Sequence, residues 1–280
     1  MHDITSHRTV PSEGTNMSGE ASSSRSTQSS SAKQGFGVDV GGSGIKGGIV
    51  DLETGALVGE RFKVLTPHPA TPDGVAGGVR EVVEHFGWSG PVGITIPAVV
   101  TNGVARTAAN IDDSWIGVDA TQLFTEYLDR DDVSVLNDAD AAGMAEQRYG
   151  AGRDVSGVVI LLTFGTGIGS ALLVGDTLVP NTELGHLQVG KKEAEKQASS
   201  KVKTDKDWSY KKWAKHVSTV LEEYEKLFWP NLFIAGGGIS RKSDKWIPKL
   251  TNTVPVVPAS LANTAGIVGA AMAAEQGLHP

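Results

Sequence analysis

The sequence predicts an α/β protein made of two related lobes, with central mixed sheets and a cleft between the lobes. Three observations lead to this prediction. Runs of β-branched residues typical of buried strands alternate with segments of helical spacing, and glycine-rich turns directly follow several strands. The succession of strand, glycine turn and strand that includes Val38 recurs around Leu162, 124 residues later, which indicates an internal duplication.

Apolar spacing and turn residues predict the elements of each unit. The first unit is predicted to contain two strands within 36–50 on either side of a glycine turn, a strand in 56–65, helices in 73–85 and 120–127, and strands in 91–97 and 133–136. The second is predicted to contain a helix in 139–149, a strand, glycine turn and strand in 156–179, a charged helical segment in 193–226, a strand in 231–235 and a small-residue helix in 266–276.

Shifts in composition divide the chain into three segments. Residues 1–34 are rich in Ser, Thr, Gly and charge, which predicts a disordered tail. Residues 35–137 are predicted to form a smaller N-terminal lobe, which the C-terminal helix in 264–280 joins. Residues 138–263 are predicted to form the larger C-terminal lobe.

Composition excludes several classes of function. The chain has no cysteine, so disulfides, thiolate zinc sites and a cysteine nucleophile are excluded. A net charge of -7 argues against binding nucleic acid through a broad basic surface. No apolar run approaches the roughly 18 residues of a membrane span, and the N-terminus lacks the apolar core of a secretory signal. We therefore expect a cytoplasmic protein without nucleic-acid or membrane partners.

Three glycine turns follow apolar strands. The first, at Gly42, matches GxGxxG but continues into a strand, so a dinucleotide-binding Rossmann turn is excluded; no GxxxxGK[ST] loop is present. Two readings remain for this turn and for the second, at Gly165: backbone N–H groups that hold phosphate oxygens, or a plain hairpin in which glycine supplies positive φ. The third, at Gly236, lies between a strand and a predicted helix. Three such turns together favour phosphate binding.

Asp138 lies where a β-branched strand, residues 133–136, meets a run of helix-forming residues. Such junctions commonly carry site residues in α/β proteins, and a carboxylate there can accept a proton from a substrate hydroxyl. The alternative is a helix N-cap, since Asp and Asn are preferred caps. The two roles are compatible.

Five motifs in order carry a family resemblance: VDVGGSGIKGG, LNDADAAG, LTFGTGIGS, ELGH and IAGGGIS. They resemble those of the ROK sugar kinases, which have the actin/hexokinase-like (ribonuclease H-like) fold. The resemblance covers Phe36 to about Ala274. Within the family, the chain is most similar to members that use inorganic polyphosphate, and often ATP, to phosphorylate glucose.

The resemblance implies roles for individual residues. Asp138 matches the general base, and Asn110, Asn137, Glu183 and His186 match the residues that hold the sugar. Asp39 matches the acid expected near the metal ion and the transferred phosphate. The phosphate- and nucleotide-binding positions implied are Gly41, Gly42, Ser43, Gly44, Lys46, Gly165, Thr166, Gly167, Gly237 and Gly238.

The resemblance also implies which ligands the protein binds and how it assembles. Glucose is the expected acceptor, with mannose left open as a second one, and Mg²⁺ is expected because phosphoryl transfer needs the charge on the oxygens neutralised. The resemblance suggests a homodimer, although no residue of this sequence by itself requires one. Typical members bind zinc through a histidine and a cluster of cysteines after ELGH. Because this chain has no cysteine, no zinc is expected here. Ala98 replaces the usual glycine, and the sequence has no helix-turn-helix like that of the family's repressors.

A lysine-rich segment, residues 191–215, holds nine lysines against four acidic residues. It is interpreted either as a path for a polyanionic donor or as a solvated helix face. Two rivals to a polyphosphate-dependent kinase also stay open: an ATP-only ROK hexokinase and a non-catalytic sugar sensor of the same fold. Asp138 and the three glycine turns argue against the sensor.

Overall fold

The computed structural model describes residues 33–280, which form fourteen strands, seven α-helices and several short 3₁₀ helices. In chain order the strands and α-helices are β1 (Gln34–Gly41), β2 (Gly44–Asp51), β3 (Leu57–Val64), α1 (Pro72–Phe86), β4 (Val92–Ile96), β5 (Val100–Thr101), β6 (Val104–Ala105), α2 (Ala120–Leu128), β7 (Val133–Asn137), α3 (Asp138–Tyr149), β8 (Val158–Phe164), β9 (Ile168–Val174), β10 (Thr177–Val179), β11 (Gln188–Val189), β12 (Lys192–Glu193), α4 (Glu195–Ala198), α5 (Ser200–Asp205), α6 (Tyr210–Phe228), β13 (Leu232–Gly236), β14 (Val256–Pro258) and α7 (Ala265–Gln276).

The main strands form two five-stranded sheets with equivalent topology. Their orders are β3-β2-β1-β4-β7 and β10-β9-β8-β13-β14. In each sheet, the first three strands are antiparallel and the last two run parallel to the central strand. Strand β8 begins 124 residues after β1. The predicted duplicated α/β fold is therefore confirmed.

Strand β1 has one bulky face and one small face. Phe36, Val38 and Val40 alternate along it and pack into the core beneath α1. The opposite face carries Gly37 and Asp39, and helix α7 lies against it. A Cβ on Gly37 would lie 1.9 Å from the carbonyl oxygen of Ile267, so the helix backbone touches the strand directly. Glycine at this face is therefore a packing requirement.

Helix α3 packs on the second sheet as α7 packs on the first. A Cβ on Gly143 of α3 would lie 2.5 Å from the Cβ of Ala171 in β9. The two helices also touch each other, because a Cβ on Gly269 of α7 would lie 1.9 Å from the carbonyl oxygen of Ala141. The layers therefore run first sheet, α7, α3, second sheet.

Glu146 ties the end of α3 to the start of α7. Its buried carboxylate accepts hydrogen bonds from the backbone N–H of Ser260 at 3.1 Å and of Leu261 at 2.7 Å. It also accepts from the Ser260 hydroxyl and from the N–H of Ala151. These four donors satisfy the hydrogen-bonding capacity of this buried carboxylate.

The outer faces of the sheets carry the remaining long helices. Helices α1 and α2 pack on the first sheet, where Val79 and Phe124 are fully buried. Helix α6 covers the second sheet, where Trp213, Val217 and Tyr224 pack against alternate residues of β8 and β13. The central strands of each sheet are therefore buried on both faces, whereas the edge strand β3 is largely exposed.

The segment 193–226, predicted to be charged and helical, forms three separate helices. The chain there forms α4, α5 and α6, because Ser199 and Ser209 each cap a new helix start through their side-chain oxygens. Between α5 and α6, Asp207 has a φ of 48°, which no continuous helix allows. Charge and spacing identified the helical character but not these interruptions.

The predicted disordered tail falls outside the described residues except for Lys33 and Gln34. Gln34 begins β1, and Lys33 forms an ion pair with Glu275 of α7. The described residues cluster as one compact unit, so the predicted lobe limits stay a prediction. Within residues 33–280, no helix is both long and apolar enough to cross a membrane.

The contact between α3 and α7 yields a stability prediction. Gly269→Ala places a methyl group against the Ala141 backbone, and overpacking of this kind lowers the free energy of unfolding by about 1–3 kcal/mol. Gly77→Ala is the matched control, because Gly77 lies on an exposed side of α1 with no neighbouring atom within 4 Å of the added carbon. The control is expected to stabilise by about 0.5–1 kcal/mol. Urea unfolding midpoints that shift equally for both variants would contradict the close packing.

Candidate active site

Three parallel strands end at one edge of the first sheet. In β1 and β4, Asp39 pairs with Thr95; in β4 and β7, Ile96 pairs with Asn137. Polar residues at the carboxyl ends of neighbouring parallel strands lie side by side at such an edge. Asp39, Thr95, Asn137 and Asp138 are therefore brought together from three distant parts of the chain.

The N-cap of α3 is Asn137. Its Oδ1 accepts hydrogen bonds from the backbone N–H of Ala139 at 2.8 Å and of Asp140 at 3.2 Å. Its Nδ2 donates to the carbonyl oxygen of Ala98 at 3.0 Å, which leaves one amide hydrogen for a ligand. Asp138 is the first residue of the helix, and its Oδ1 accepts from the N–H of Ala139 at 2.9 Å. Asn137 therefore performs the capping role weighed for Asp138.

Burial raises the pKa of the Asp138 carboxyl to about 7. The negative charge of Asp39 is the second cause, and that of Glu183 adds to it, while the N–H of Ala139 acts in the opposite direction. A carboxyl group whose pKa lies near neutral pH accepts a proton more effectively than an ordinary aspartate, and such shifts are typical of functional sites.

Asp39 is held in place by two neighbours on adjacent strands. The hydroxyl of Thr95 donates to Oδ1 at 3.1 Å, and the ammonium of Lys46 lies 3.4 Å from Oδ2. The first turn of α7 approaches closely, since a Cβ on Gly266 would lie 2.9 Å from the carboxylate carbon. The Asp39 side chain is 19% exposed, so its carboxylate is fixed yet accessible.

The first glycine turn joins β1 to β2 through the exposed residues Gly42 and Ser43. Neither these residues nor the flanking Gly41 and Gly44 have positive φ, so the plain reading, in which glycine supplies that conformation, is wrong here. Asn110 adjoins the turn, because a Cβ on Gly42 would lie 3.6 Å from the Asn110 carbonyl oxygen. The predicted sugar residue Asn110 thus lies beside the predicted phosphate turn.

The second and third turns share one edge of the second sheet. Thr163 of β8 pairs with Gly236 of β13, so the turns that follow these parallel strands are neighbours. Gly237 has a φ of 79°, and a Cβ there would lie 2.5 Å from the Phe164 carbonyl oxygen, so glycine is required. The carbonyl oxygen of Gly165 accepts from the backbone N–H of Lys201 at 3.1 Å, which docks α5 on the second turn.

The ELGH motif forms a 3₁₀ turn, Leu184–His186, against β9. Gly185 is needed because a Cβ there would lie 2.1 Å from the Ile168 carbonyl oxygen. The turn presents Glu183 and His186 together, with His186 Nε2 4.0 Å from Glu183 Oε2. Burial raises the pKa of Glu183, while His186 lowers it and Glu195 raises it further.

Two acids beside His186 were missed by sequence reasoning. Nδ1 of His186 lies 3.6 Å from Glu193, and ligand-type atoms of His186, Glu193 and Glu195 all fall within 4.8 Å of one another. No sequence pattern singled out these acids, because both lie in a charged run that is also interpreted as a solvated helix face. The expected absence of zinc stays a prediction.

Asp140 is a third acid that sequence reasoning passed over. It is fully buried in the first turn of α3, and its Oδ2 accepts from the backbone N–H of Asn181 at 2.7 Å. Burial raises its pKa to about 7, the Asn181 N–H opposes this, and the charges of Glu183 and Asp138 add to it. The repeated acid in LNDADAAG was the available signal.

The lysine-rich segment places several ammonium groups around two aromatic rings. Lys206 and Lys212 lie 4.9 and 5.2 Å from the ring centre of Trp208, and Lys203 lies 4.4 Å from that of Tyr210. The segment meets the second glycine turn through the backbone of Lys201. The segment therefore reaches a predicted phosphate position through its backbone, while the Lys201 ammonium pairs with Asp205.

Comparison with known proteins identifies relatives over most of the chain. Residues 35–200 match the ROK family. A polyphosphate glucokinase of Mycobacterium tuberculosis is 64% identical over 241 residues, which are 86% of this chain and 91% of that protein. A polyphosphate glucokinase of Mycobacterium leprae is 60% identical over 87% of this chain and 75% of that protein.

A solved structure resembles the fold closely. The inorganic polyphosphate/ATP-glucomannokinase of Arthrobacter sp. strain KM superimposes with a TM-score of 0.82 at 47% identity, covering 88% of this chain and 99% of that one. These relatives have the actin/hexokinase-like architecture predicted from the motifs.

Proposed function

The chain belongs to the ROK family, and we propose that it transfers a phosphoryl group from inorganic polyphosphate or ATP to the 6-hydroxyl of glucose, forming glucose 6-phosphate. The observation that carries this proposal is the carboxylate of Asp138. It lies on the first residue of α3, directly after β7, where burial and the charge of Asp39 raise its pKa to about 7. The site combines this base with three glycine turns and a Glu-His pair.

Asp138 acts as general base. The glucose 6-oxygen attacks the terminal phosphorus of the donor, its proton passes to the Asp138 carboxylate, and the bond from phosphorus to the bridging oxygen breaks. The leaving group is ADP or a polyphosphate shortened by one unit. A primary hydroxyl is a poor nucleophile until its proton is accepted, so a carboxylate with a raised pKa suits this step.

Four side chains hold the sugar. Glu183 and His186 offer a carboxylate and an imidazole from one turn, and Asn137 offers its remaining amide hydrogen. Asn110 contributes from the loop beside the first glycine turn. Several fixed polar groups are required, because each sugar hydroxyl left unpaired on burial costs about 1–3 kcal/mol.

The donor phosphates lie along the glycine turns. Backbone N–H groups at Gly41, Gly42, Ser43 and Gly44, with Lys46, form the first contact; Gly165, Thr166 and Gly167 form the second; Gly237 and Gly238 form the nucleotide-side contact. Asp39 fits an Mg²⁺ ion, because its carboxylate is fixed by Thr95 and partly exposed. When bound, the ion neutralises charge on the phosphate oxygens.

Several finer features remain predictions. Mannose as a second acceptor, a homodimeric assembly and a cytoplasmic location follow from the family resemblance and the composition. An ATP-only hexokinase is separated from the proposed enzyme by comparing rates with long-chain polyphosphate and with ATP.

Removing the base tests the proposed mechanism. Asp138→Asn keeps the size of the side chain but cannot accept the proton, so we expect kcat to fall by about 10²–10⁴ with either donor, while the glucose KM changes far less. A coupled glucose 6-phosphate assay measures both constants. Asp154→Asn is the matched control, since Asp154 is exposed and its left-handed backbone also suits Asn. Activity nearly intact in Asp138→Asn would rule out the proposed base.

The lysine-rich segment is proposed as the path of the polyphosphate chain. Reversing the charge of Lys203, Lys206 and Lys212 is expected to raise the polyphosphate KM by about tenfold or more, to weaken its salt dependence, and to leave the ATP KM nearly unchanged.

A control triple variant reverses three exposed cations elsewhere: Arg153, Lys226 and Lys249. It has the same net charge as the test variant. If both variants gave the same polyphosphate KM and the same salt dependence, the path would lie elsewhere.

A further inference from the structure

Asn181 connects three parts of the fold. Its backbone N–H donates to the buried Asp140 carboxylate of α3 at 2.7 Å. Its side chain pairs with the backbone of Val100, accepting from the N–H at 2.9 Å and donating to the carbonyl oxygen at 2.7 Å. Val100 belongs to the β5–β6 hairpin, which lies in the chain between strands β4 and β7 of the first sheet, whereas Asn181 follows β10, the edge antiparallel strand of the second sheet. One residue thus joins the two halves of the duplicated fold.

The conformation of Asn181 fits this connection. Its φ is 57°, in the left-handed region that Asn tolerates better than most residues. This conformation turns the chain so that the backbone faces α3 and the side chain faces Val100. The side chain copies the hydrogen-bonding pattern of one residue in a β-ladder, although no strand continues there.

The segment that Asn181 begins leads directly to the proposed sugar pair. Glu183 is two residues later, and the N–H of Leu184 donates to the Ser170 hydroxyl at 2.9 Å. The same hydroxyl donates to the carbonyl oxygen of Thr182. The segment is therefore fixed to β9 at its far end and to Asp140 and Val100 at its near end.

Asp140 lies two residues after Asp138 on the first turn of α3. Its Oδ2 is used by Asn181, while its Oδ1 is buried and has no hydrogen-bond partner among the described residues. A buried carboxylate with an unpartnered oxygen costs stability, which calls for a role other than stability. Its connection to Asn181 links the helix that begins with the base to the segment that carries Glu183.

We infer that Asp140 and Asn181 are positioning residues that fix the segment carrying Glu183 relative to Asp138 and to the Val100 hairpin, so that the sugar is held in register with the base. This inference rests on the proposed function, in which Glu183 binds the sugar. Asn137 fixes the same hairpin from the other side, through its bond to Ala98. Hydrogen bonds thus hold the hairpin both beside the proposed base, Asp138, and beside the segment that carries Glu183.

Asn181→Gly is the most selective test. Glycine adopts positive φ without cost and keeps the N–H to Asp140, so the variant removes the Val100 pairing alone. We expect the glucose KM to rise by about tenfold and the KM values for polyphosphate and ATP to change by less than about twofold. The matched control is Asn102→Gly, since Asn102 is exposed and has a φ of 51° in the Val100 hairpin itself. The control is expected to behave like the unaltered protein.

A double-mutant cycle tests whether Asp140 acts through the same connection. Asp140→Ala removes the acceptor for the Asn181 N–H, and its effect on the glucose KM is expected to be non-additive with that of Asn181→Gly. Asp140→Asn keeps an oxygen for that N–H and is expected to restore most of the loss. A role in stability alone would move urea midpoints and leave the glucose and donor KM values in their original ratio.

A measurement independent of catalysis separates the two proposals. Hydrogen exchange of backbone amides in residues 98–101 and 181–187 is expected to speed up in Asn181→Gly and not in Asn102→Gly. If the unaltered protein phosphorylates no glucose, the proposed function fails, yet the exchange result still tests the connection. If Asn181→Gly exchanges like the unaltered protein, or raises glucose and donor KM values equally, the positioning role is overturned.

Discussion

The backbone contact between α3 and α7 governs the arrangement of the whole molecule. It occurs where a Cβ on Gly269 would lie 1.9 Å from the Ala141 carbonyl oxygen, so no side chain separates the two helices. Each helix lies on a different sheet, and the sheets therefore approach as closely as two layers of helix permit. Glu146 reinforces the contact by binding the backbone that leads into α7. The first residue of α3 is Asp138, so this packing also decides where the proposed base lies.

The same geometry explains the electrostatics of the site. Helix α7 lies on the small-residue face of β1, and that face also carries Asp39. Helix α3 brings Asp138 to the neighbouring strand end, where burial and the charge of Asp39 both raise its pKa. The glycines thus set how closely the helices and sheets pack, and this packing raises the pKa of Asp138. The raised pKa suits the proton transfer proposed for the reaction.

Much of the fold and of the candidate site could be predicted from the sequence. The features that could not be predicted have physical explanations. Local patterns identified the strands, the three glycine turns and the duplicated fold, because buried strands and turns are encoded by near neighbours. The connection from Asp140 to Asn181 joins residues 41 positions apart, which no local pattern reveals. The cap at Asn137 is local, but Asn137 and Asp138 are both preferred cap residues, and the acids beside His186 lie in a charged run that is also typical of a solvated helix face. The charged helical segment predicted in 193–226 consists of three helices, because two serine caps start new ones within it.

The central claim is that Asp138 accepts the proton of the glucose 6-hydroxyl with a pKa raised by burial. A base works only when ionised, and a raised pKa means that the protonated form accumulates below about pH 7 instead of near 3.8. The direct test is the pH dependence of kcat/KM for glucose, measured separately with polyphosphate and with ATP so that titration of either donor is recognised. The account predicts a tenfold fall for each pH unit below about 7 with both donors. A kcat/KM for glucose that stays constant down to about pH 5.5 with both donors would contradict this account.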